Sequence, residues 1–187
     1  MKVILASRSP RRRRLLRELG LEFKVVPSEI DEGKVTDENP AERVRKLAML
    51  KAATVAKGMR EHVLVIGADT LVCIGNEVLG KPKTRGEAVG MLTRLSGREH
   101  MVLTGICLVN TKTGNVYTDV QKTKVRFRQL TQKEIDKHAG EALDGAGAYF
   151  VQEQPALVCS IDGSYTNVVG LPVERLIPLL RENGVDI

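Results

Sequence analysis

Lys2-Val3-Ile4-Leu5-Ala6-Ser7-Arg8-Ser9-Pro10-Arg11-Arg12 opens the chain and decides how the rest is read. Val3 to Ala6 is an unbroken apolar run with no polar alternation, the mark of a strand covered on both faces, as in sheets flanked by helices. The run stops at a serine-rich turn. Ser9 is a good helix N-cap, Pro10 suits the first helical position, and Leu15, Leu16 and Leu19 form a stripe ending at Gly20. Strand, turn and helix make the first unit.

Working outward, Phe23 to Val26 reads as a second strand, and the acidic stretch Glu29-Ile30-Asp31-Glu32 leads to a helix that starts at Asn39-Pro40 and runs to about Lys57. His62 to Ala68 is a further apolar strand ending in Asp69, and the chain then turns into a short hairpin reaching Val78-Leu79-Gly80. Thr84 to Leu95 is helical by pattern. From Glu99 to Arg128 the sequence is β-rich, with Thr113-Gly114-Asn115 as a hairpin turn. Thr131 and Glu134 are spaced as a capping box for a short helix to His138. A strand near Ala156 to Ile161 precedes a last helix beginning near Pro172. Strands that alternate with helices early and pair as hairpins later predict a mixed, partly antiparallel α/β sheet with flanking helices. No repeat or linker divides the sequence, so residues 1–187 read as one domain.

Composition narrows the partners. The 187 residues carry a formal net charge of +6, which favours an anionic ligand, whether nucleic acid, lipid surface or small phosphorylated molecule. Aromatic residues are only 3% with no Trp, which leaves little surface for stacking single-stranded bases. Cys73, Cys107 and Cys159 stand singly in apolar stretches and read as buried free thiols of a reducing compartment. The opening apolar run is too short for a signal peptide and no later stretch approaches a membrane span, so a cytoplasmic location is expected.

Several residues have phosphate chemistry. After the first strand, backbone N–H groups, the Ser7 and Ser9 hydroxyls and the Arg11 and Arg12 guanidiniums can converge on one anion; the alternative is a plain cap followed by a solvated basic face. Lys51 falls inside the apolar arc of Val44, Leu47, Ala48 and Val55. An inward lysine must be paired or bind an anion, whereas a rim lysine snorkels to water. Asp69, at the expected carboxyl end of a strand, is placed to hold Mg²⁺ or take a proton from water, with Thr70 as a neighbouring donor, unless it only starts a turn. Gly80-Lys81-Pro82 fixes a lysine between a flexible and a rigid residue. His62, His100 and His138 have neither metal-ligand spacing nor a triad partner, and no Walker-type loop or dinucleotide fingerprint is present.

Together these stretches resemble the Maf family of nucleotide pyrophosphatases. The matching segments are Leu5-Ala6-Ser7-x-Ser9-Pro10-Arg11-Arg12, Gly67-Ala68-Asp69-Thr70, Leu79-Gly80-Lys81-Pro82, Leu95-Ser96-Gly97-Arg98-Glu99-His100, Ala146-Gly147-Ala148-Tyr149, and Gly163-Ser164-Tyr165 running into Asn167-Val168-Val169-Gly170-Leu171-Pro172. The resemblance implies a fold related to inosine-triphosphate pyrophosphatases, with two lobes around a nucleotide cleft. It implies hydrolysis of a nucleoside triphosphate to monophosphate and pyrophosphate with a divalent cation, Mg²⁺ or Mn²⁺. On that likeness Asp69 is the proton acceptor and a metal ligand, Glu32 a second metal carboxylate, and Ser7, Arg12, Lys51 and Lys81 the phosphate contacts. Arg11, Thr70 and Gln152 resemble the selectivity set of the branch acting on dTTP and UTP, with modified pyrimidine triphosphates and CTP as neighbouring substrates. A homodimer and a link to arrest of cell division are also features of the resembled family.

The sequence departs from the branch pattern, Asp-Lys-Ala-Gly-x-Tyr followed by Gly-Ile-Gln-Gly, at Gly145, Phe150, Val151 and Glu153, while Gln152 is kept. Two other readings remain. A house-cleaning pyrophosphatase for modified purine triphosphates shares the reaction and differs in its pocket. A basic nucleic-acid-binding regulator of division draws on the charge and on Arg11 to Arg14, but the few aromatics and the acidic Asp69 and Glu32 oppose a stable nucleic-acid partner.

Overall fold

Val3, Ile4, Leu5 and Ala6 are all buried, as a strand covered on both faces requires. The computed structural model describes residues 1–37 and 39–187. In chain order they form β1 (Lys2–Leu5), α1 (Pro10–Glu18), β2 (Phe23–Val25), α2 (Pro40–Lys57), β3 (Val63–Ile74), β4 (Glu77–Leu79) and α3 (Arg85–Leu95). There follow β5 (Glu99–Asn110), β6 (Val116–Phe127), α4 (Gln132–His138), β7 (Val158–Asp162), α5 (Tyr165–Val169) and α6 (Val173–Glu182), with 3-10 turns at Glu32–Lys34, Ala146–Ala148 and Pro155–Leu157. Strands hydrogen-bond in the order β2-β1-β3-β5-β6-β7, with β4 attached to β3. β1 is parallel to both β2 and β3, whereas β4 on β3 and β7 on β6 are antiparallel, so the sheet is mixed.

Local chemistry explains the helix boundaries. Ser9 caps α1 by accepting the Arg12 N–H, Asn39 caps α2 by accepting the Ala41 N–H, and both helices have proline in the first turn. Thr131 and Glu134 complete a reciprocal capping box on α4. Gly114, with φ of 77°, makes the left-handed turn between β5 and β6.

The chain divides into two compact units. The first contains Met1–Asp69, Thr104–Gln121 and Gly170–Ile187. One of its cores gathers Ile4 and Ala6 of the β1 segment, Val63 and Val65 of β3, and Cys107 and Val109 of β5 against Ala48, Ala52 and Val55 of α2. Strand alternation assigns the odd-numbered residues of β3, including Gly67 and Asp69, to this α2 face. The second unit contains Thr70–Leu103 and Lys122–Val169. Within it His100, Phe127 and Tyr149 meet edge to face, with ring centroids 4.8 to 5.5 Å apart.

Two expectations need correction. β3 does not end at Asp69 but continues to Ile74, because Leu71 to Ile74 is itself apolar and Val72, Cys73 and Ile74 pair with β4. Asp69 still lies past the parallel ladder, whose last β1 pair is Leu5 with Ile66. Cys73 and Cys107 are buried, and burial pushes the Cys107 thiol up to about 12, but Cys159 on β7 is exposed. Helix α5 and the three 3-10 turns are too short for a sequence period to announce them. Among the described residues no helix is long and apolar enough to cross a membrane.

Candidate active site

Two glycines let α2 lie against the sheet. A Cβ on Gly67 would stand 2.2 Å from the Ala48 carbonyl oxygen, and one on Gly105 would stand 2.4 Å from the Val44 carbonyl oxygen. Any side chain at either position would force the helix outward. Lys51 lies one helical turn beyond Ala48, and Asp69 lies two residues beyond Gly67 on the same face. The close approach brings the Lys51 ammonium 2.6 Å from Asp69 Oδ1 and 2.7 Å from Glu32 Oε1. Lys51 and Asp69 are only 7% and 6% exposed, which settles the choice left open by the sequence: Lys51 is paired inside and does not snorkel. Glu32, on the 3-10 turn at Glu32–Lys34, is exposed and reaches the ammonium from the solvent side.

Arg12 supplies a second buried cation. Its Nε donates to the Gly170 carbonyl oxygen at 2.8 Å, and Nη1 donates to Ser7 Oγ at 3.1 Å. Ser7 Oγ also accepts the Ser9 N–H at 3.2 Å, so the turn after β1 is tied to the guanidinium it presents. Burial lowers the Arg12 pKa from its ordinary value, while the charges of Asp69 and Glu32 oppose that and Arg11 adds to it. The two acids whose charges act on Arg12 are the same two that hold Lys51. Of the arginine run, Arg12 is buried and Arg11 partly so, whereas Arg14 pairs with Glu18 on the outside. Ser9 acts as the α1 cap.

Asp69 and Glu32 converge on one cation, and this donor set fits Mg²⁺ or Mn²⁺ that completes its shell with water and phosphate oxygens. Among the described residues no group of three or more His, Cys, Asp or Glu forms a self-sufficient metal cage.

The remaining candidates belong to the second unit. Thr70 follows Asp69 along β3 and is partly buried, and Lys81 follows β4 and is exposed. Gln152 is partly buried in a turn that Gln154 closes: Gln154 Oε1 accepts the Phe150 N–H at 3.0 Å, and its Nε2 donates to Glu141 at 3.0 Å. The same segment is anchored by the Gly147 N–H on the Gly80 carbonyl and by the Tyr149 hydroxyl, 2.9 Å from His100 Nε2. A Cβ on Gly145 would stand 2.5 Å from the Phe150 ring and 2.9 Å from the Tyr149 carbonyl oxygen, so ring and backbone together fill the space that a side chain at 145 would need.

Sequence reasoning missed three parts of this arrangement. It assigned His100 no catalytic role and did not reveal that the ring is buried and hydrogen-bonded to Tyr149; burial lowers its pKa to about 4. It did not show that Gly67 is where α2 packs against the sheet. It did not find the Gly170 carbonyl, because a backbone acceptor has no residue signature.

The model of the family described as Maf-like protein matches residues 2–183. The chain belongs to the Maf family. Similar proteins include a dTTP/UTP pyrophosphatase of Thermoanaerobacter sp. (strain X514), 47% identical over 97% of this chain and 96% of that protein. A dTTP/UTP pyrophosphatase of Moorella thermoacetica is 48% identical over 100% of this chain and 97% of that one. Among solved structures, a HAM1 protein from Coxiella burnetii aligns over 97% of this chain and 99% of its own with a TM-score of 0.56 at 19% identity. The Staphylococcus aureus Ham1 protein aligns over 98% and 100% with a TM-score of 0.53 at 12% identity. The chain thus shares the Ham1 fold, in keeping with the mixed α/β sheet expected from its residues.

Proposed function

We propose that this chain is a nucleoside triphosphate pyrophosphatase acting on dTTP and UTP, releasing the monophosphate and pyrophosphate. The observation that carries the reading is the buried Lys51 held by Asp69 and Glu32 beside the buried Arg12, in a chain similar over nearly its whole length to dTTP/UTP pyrophosphatases.

Hydrolysis of a phosphoanhydride requires a positioned water and neutralised phosphate charge. Asp69 is the carboxylate that takes the proton from the attacking water. Lys51 and Arg12 are fixed cations for the phosphate chain, with the Ser7 hydroxyl donating to a phosphate oxygen. When bound at Asp69 and Glu32, the metal supplies further neutralisation of the phosphate oxygens as a Lewis acid. Lys81 is a further phosphate cation, and Arg11, Thr70 and Gln152 set base choice, with Ser9 shaping the turn. These last assignments rest on motif likeness, and Thr70 and Gln152 are neutral hydrogen-bonding groups suited to a pyrimidine edge.

Release of pyrophosphate from a panel of normal and modified triphosphates, with Mg²⁺, Mn²⁺ or chelator, tests the proposal. The expected result is metal-dependent turnover with dTTP and UTP foremost. A wide preference for ITP or 7-methyl-GTP overturns the pyrimidine assignment, and no pyrophosphate from any triphosphate overturns the reaction.

A further inference from the structure

Lys51 occupies the point that two metal carboxylates would share. Its ammonium is within hydrogen-bond distance of Asp69 Oδ1, at 2.6 Å, and of Glu32 Oε1, at 2.7 Å. An ammonium so placed uses the carboxylate lone pairs that a divalent ion needs, and two cations at the same contact repel one another. Free metal can bind only by turning the ammonium away from both acids. Lys51 is 7% exposed, so an ammonium without those partners is left in a site where an unpaired charge is costly. Phosphate removes that cost, because its anionic oxygens offer the ammonium new partners while they also ligate the metal.

Arg12 is tied in place through its Nε on the Gly170 carbonyl and its Nη1 on the Ser7 hydroxyl, two contacts that do not draw on the carboxylate lone pairs held by Lys51.

We propose that Lys51 is the resident counter-cation of the metal site: it holds Asp69 and Glu32 together in the nucleotide-free protein, keeps free divalent metal out, and releases both acids when phosphate arrives. The inference rests on the proposed metal role of Asp69 and Glu32. It predicts that metal and nucleotide tighten each other's binding, a reciprocity that linkage requires, and that release of Lys51 adds to the gain from direct ligation by the phosphate oxygens.

Binding of Mn²⁺ to the full chain, followed by the electron paramagnetic resonance of the free ion, tests this without turnover. The titration is run alone and with α,β-methylene-UTP, which cannot be cleaved at the α,β linkage, and is read against the same analogue without protein because the analogue itself binds Mn²⁺. Wild type is expected to bind Mn²⁺ at least about tenfold tighter with the analogue, a coupling of roughly 1.4 kcal/mol. Lys51→Met is expected to bind Mn²⁺ alone at least about tenfold tighter than wild type, and to gain less from the analogue than wild type does, keeping only what direct ligation by the phosphate oxygens supplies. Unchanged or weaker Mn²⁺ binding by folded Lys51→Met overturns the proposal. If that variant does not fold, the wild-type pair of titrations decides, since equal affinities with and without the analogue also overturn it. Asp69→Asn and Glu32→Gln separate the two levels. Mn²⁺ binding that neither variant weakens overturns the metal role itself, whereas binding that depends on both acids and ignores Lys51 overturns only the counter-cation.

Discussion

The carbonyl oxygen of Ala48 lies 2.2 Å from the place a Cβ on Gly67 would occupy. This contact sets the height of α2 above β3 and therefore the reach of Lys51 to Asp69. Gly67→Ala is expected to push the helix outward, cost about 1–3 kcal/mol of stability as overpacking does, and lower activity more than the unfolded fraction explains. Urea unfolding and pyrophosphate release on the same sample check this; full activity in a folded Gly67→Ala protein overturns it.

Asp69→Asn keeps the shape of the side chain and removes its charge and proton affinity. Turnover should fall by about 10²-fold or more, the usual weight of a positioned base, while Glu32 still holds Lys51 and the protein stays folded. A variant with undiminished kcat removes Asp69 from the chemistry.

Arg12→Lys removes a fork that spans two acceptors. A lysine cannot hold both the Gly170 carbonyl and Ser7 Oγ from one rigid plane, so the loss of buried partners should cost about 1–3 kcal/mol and raise KM for the triphosphate. Calorimetry and steady-state kinetics read the two effects, and an unaltered KM refutes the phosphate assignment.

Much of this was legible in the residues. Caps, the capping box and the hairpin glycine announce themselves because each solves a local hydrogen-bonding or dihedral problem with a particular side chain. Helical period put Lys51 within the apolar arc, and only its burial against Asp69 and Glu32 decided between pairing and snorkelling. Asp69 was misplaced at a strand end because the apolar run resumes after it, and a strand that changes partners from parallel β1 to antiparallel β4 leaves no break in the pattern. Glu32 sits on a single 3-10 turn with no period, so only family likeness pointed to it. Gly67 shows the limit most clearly: its absent side chain is visible in sequence, but what fills the space depends on a helix about twenty residues away.

His100 gives the protein a pH dependence that is separate from catalysis. Burial lowers its pKa from 6.5 to about 4, so between those values the unfolded chain binds one more proton than the folded one. Stability from this group is intact above about pH 6.5, falls as pH drops through the window, and is lower by roughly 3 kcal/mol near pH 4. Urea midpoints at pH 7 and pH 4.5 should therefore differ less in His100→Gln than in wild type; an identical difference excludes His100 as the source.

Gly145 and Phe150 share one space. Gly145→Ala is expected to destabilise by about 1–3 kcal/mol, and by less when Phe150→Ala is also present. A double-mutant cycle by thermal unfolding measures the coupling, and additive effects show that the ring yields without cost.

The peptide bond between Asp69 and Thr70 is also where the two compact units part. Ser7, Arg12, Glu32, Lys51 and Asp69 are on one side of that division, and Thr70, Lys81 and Gln152 are on the other. Substitution at Gly145, Phe150 or Glu153 therefore falls in the unit that does not hold the Lys51 ion pairs, and the tie of Arg12 to Ser7 and Gly170 lies wholly outside its reach along the chain.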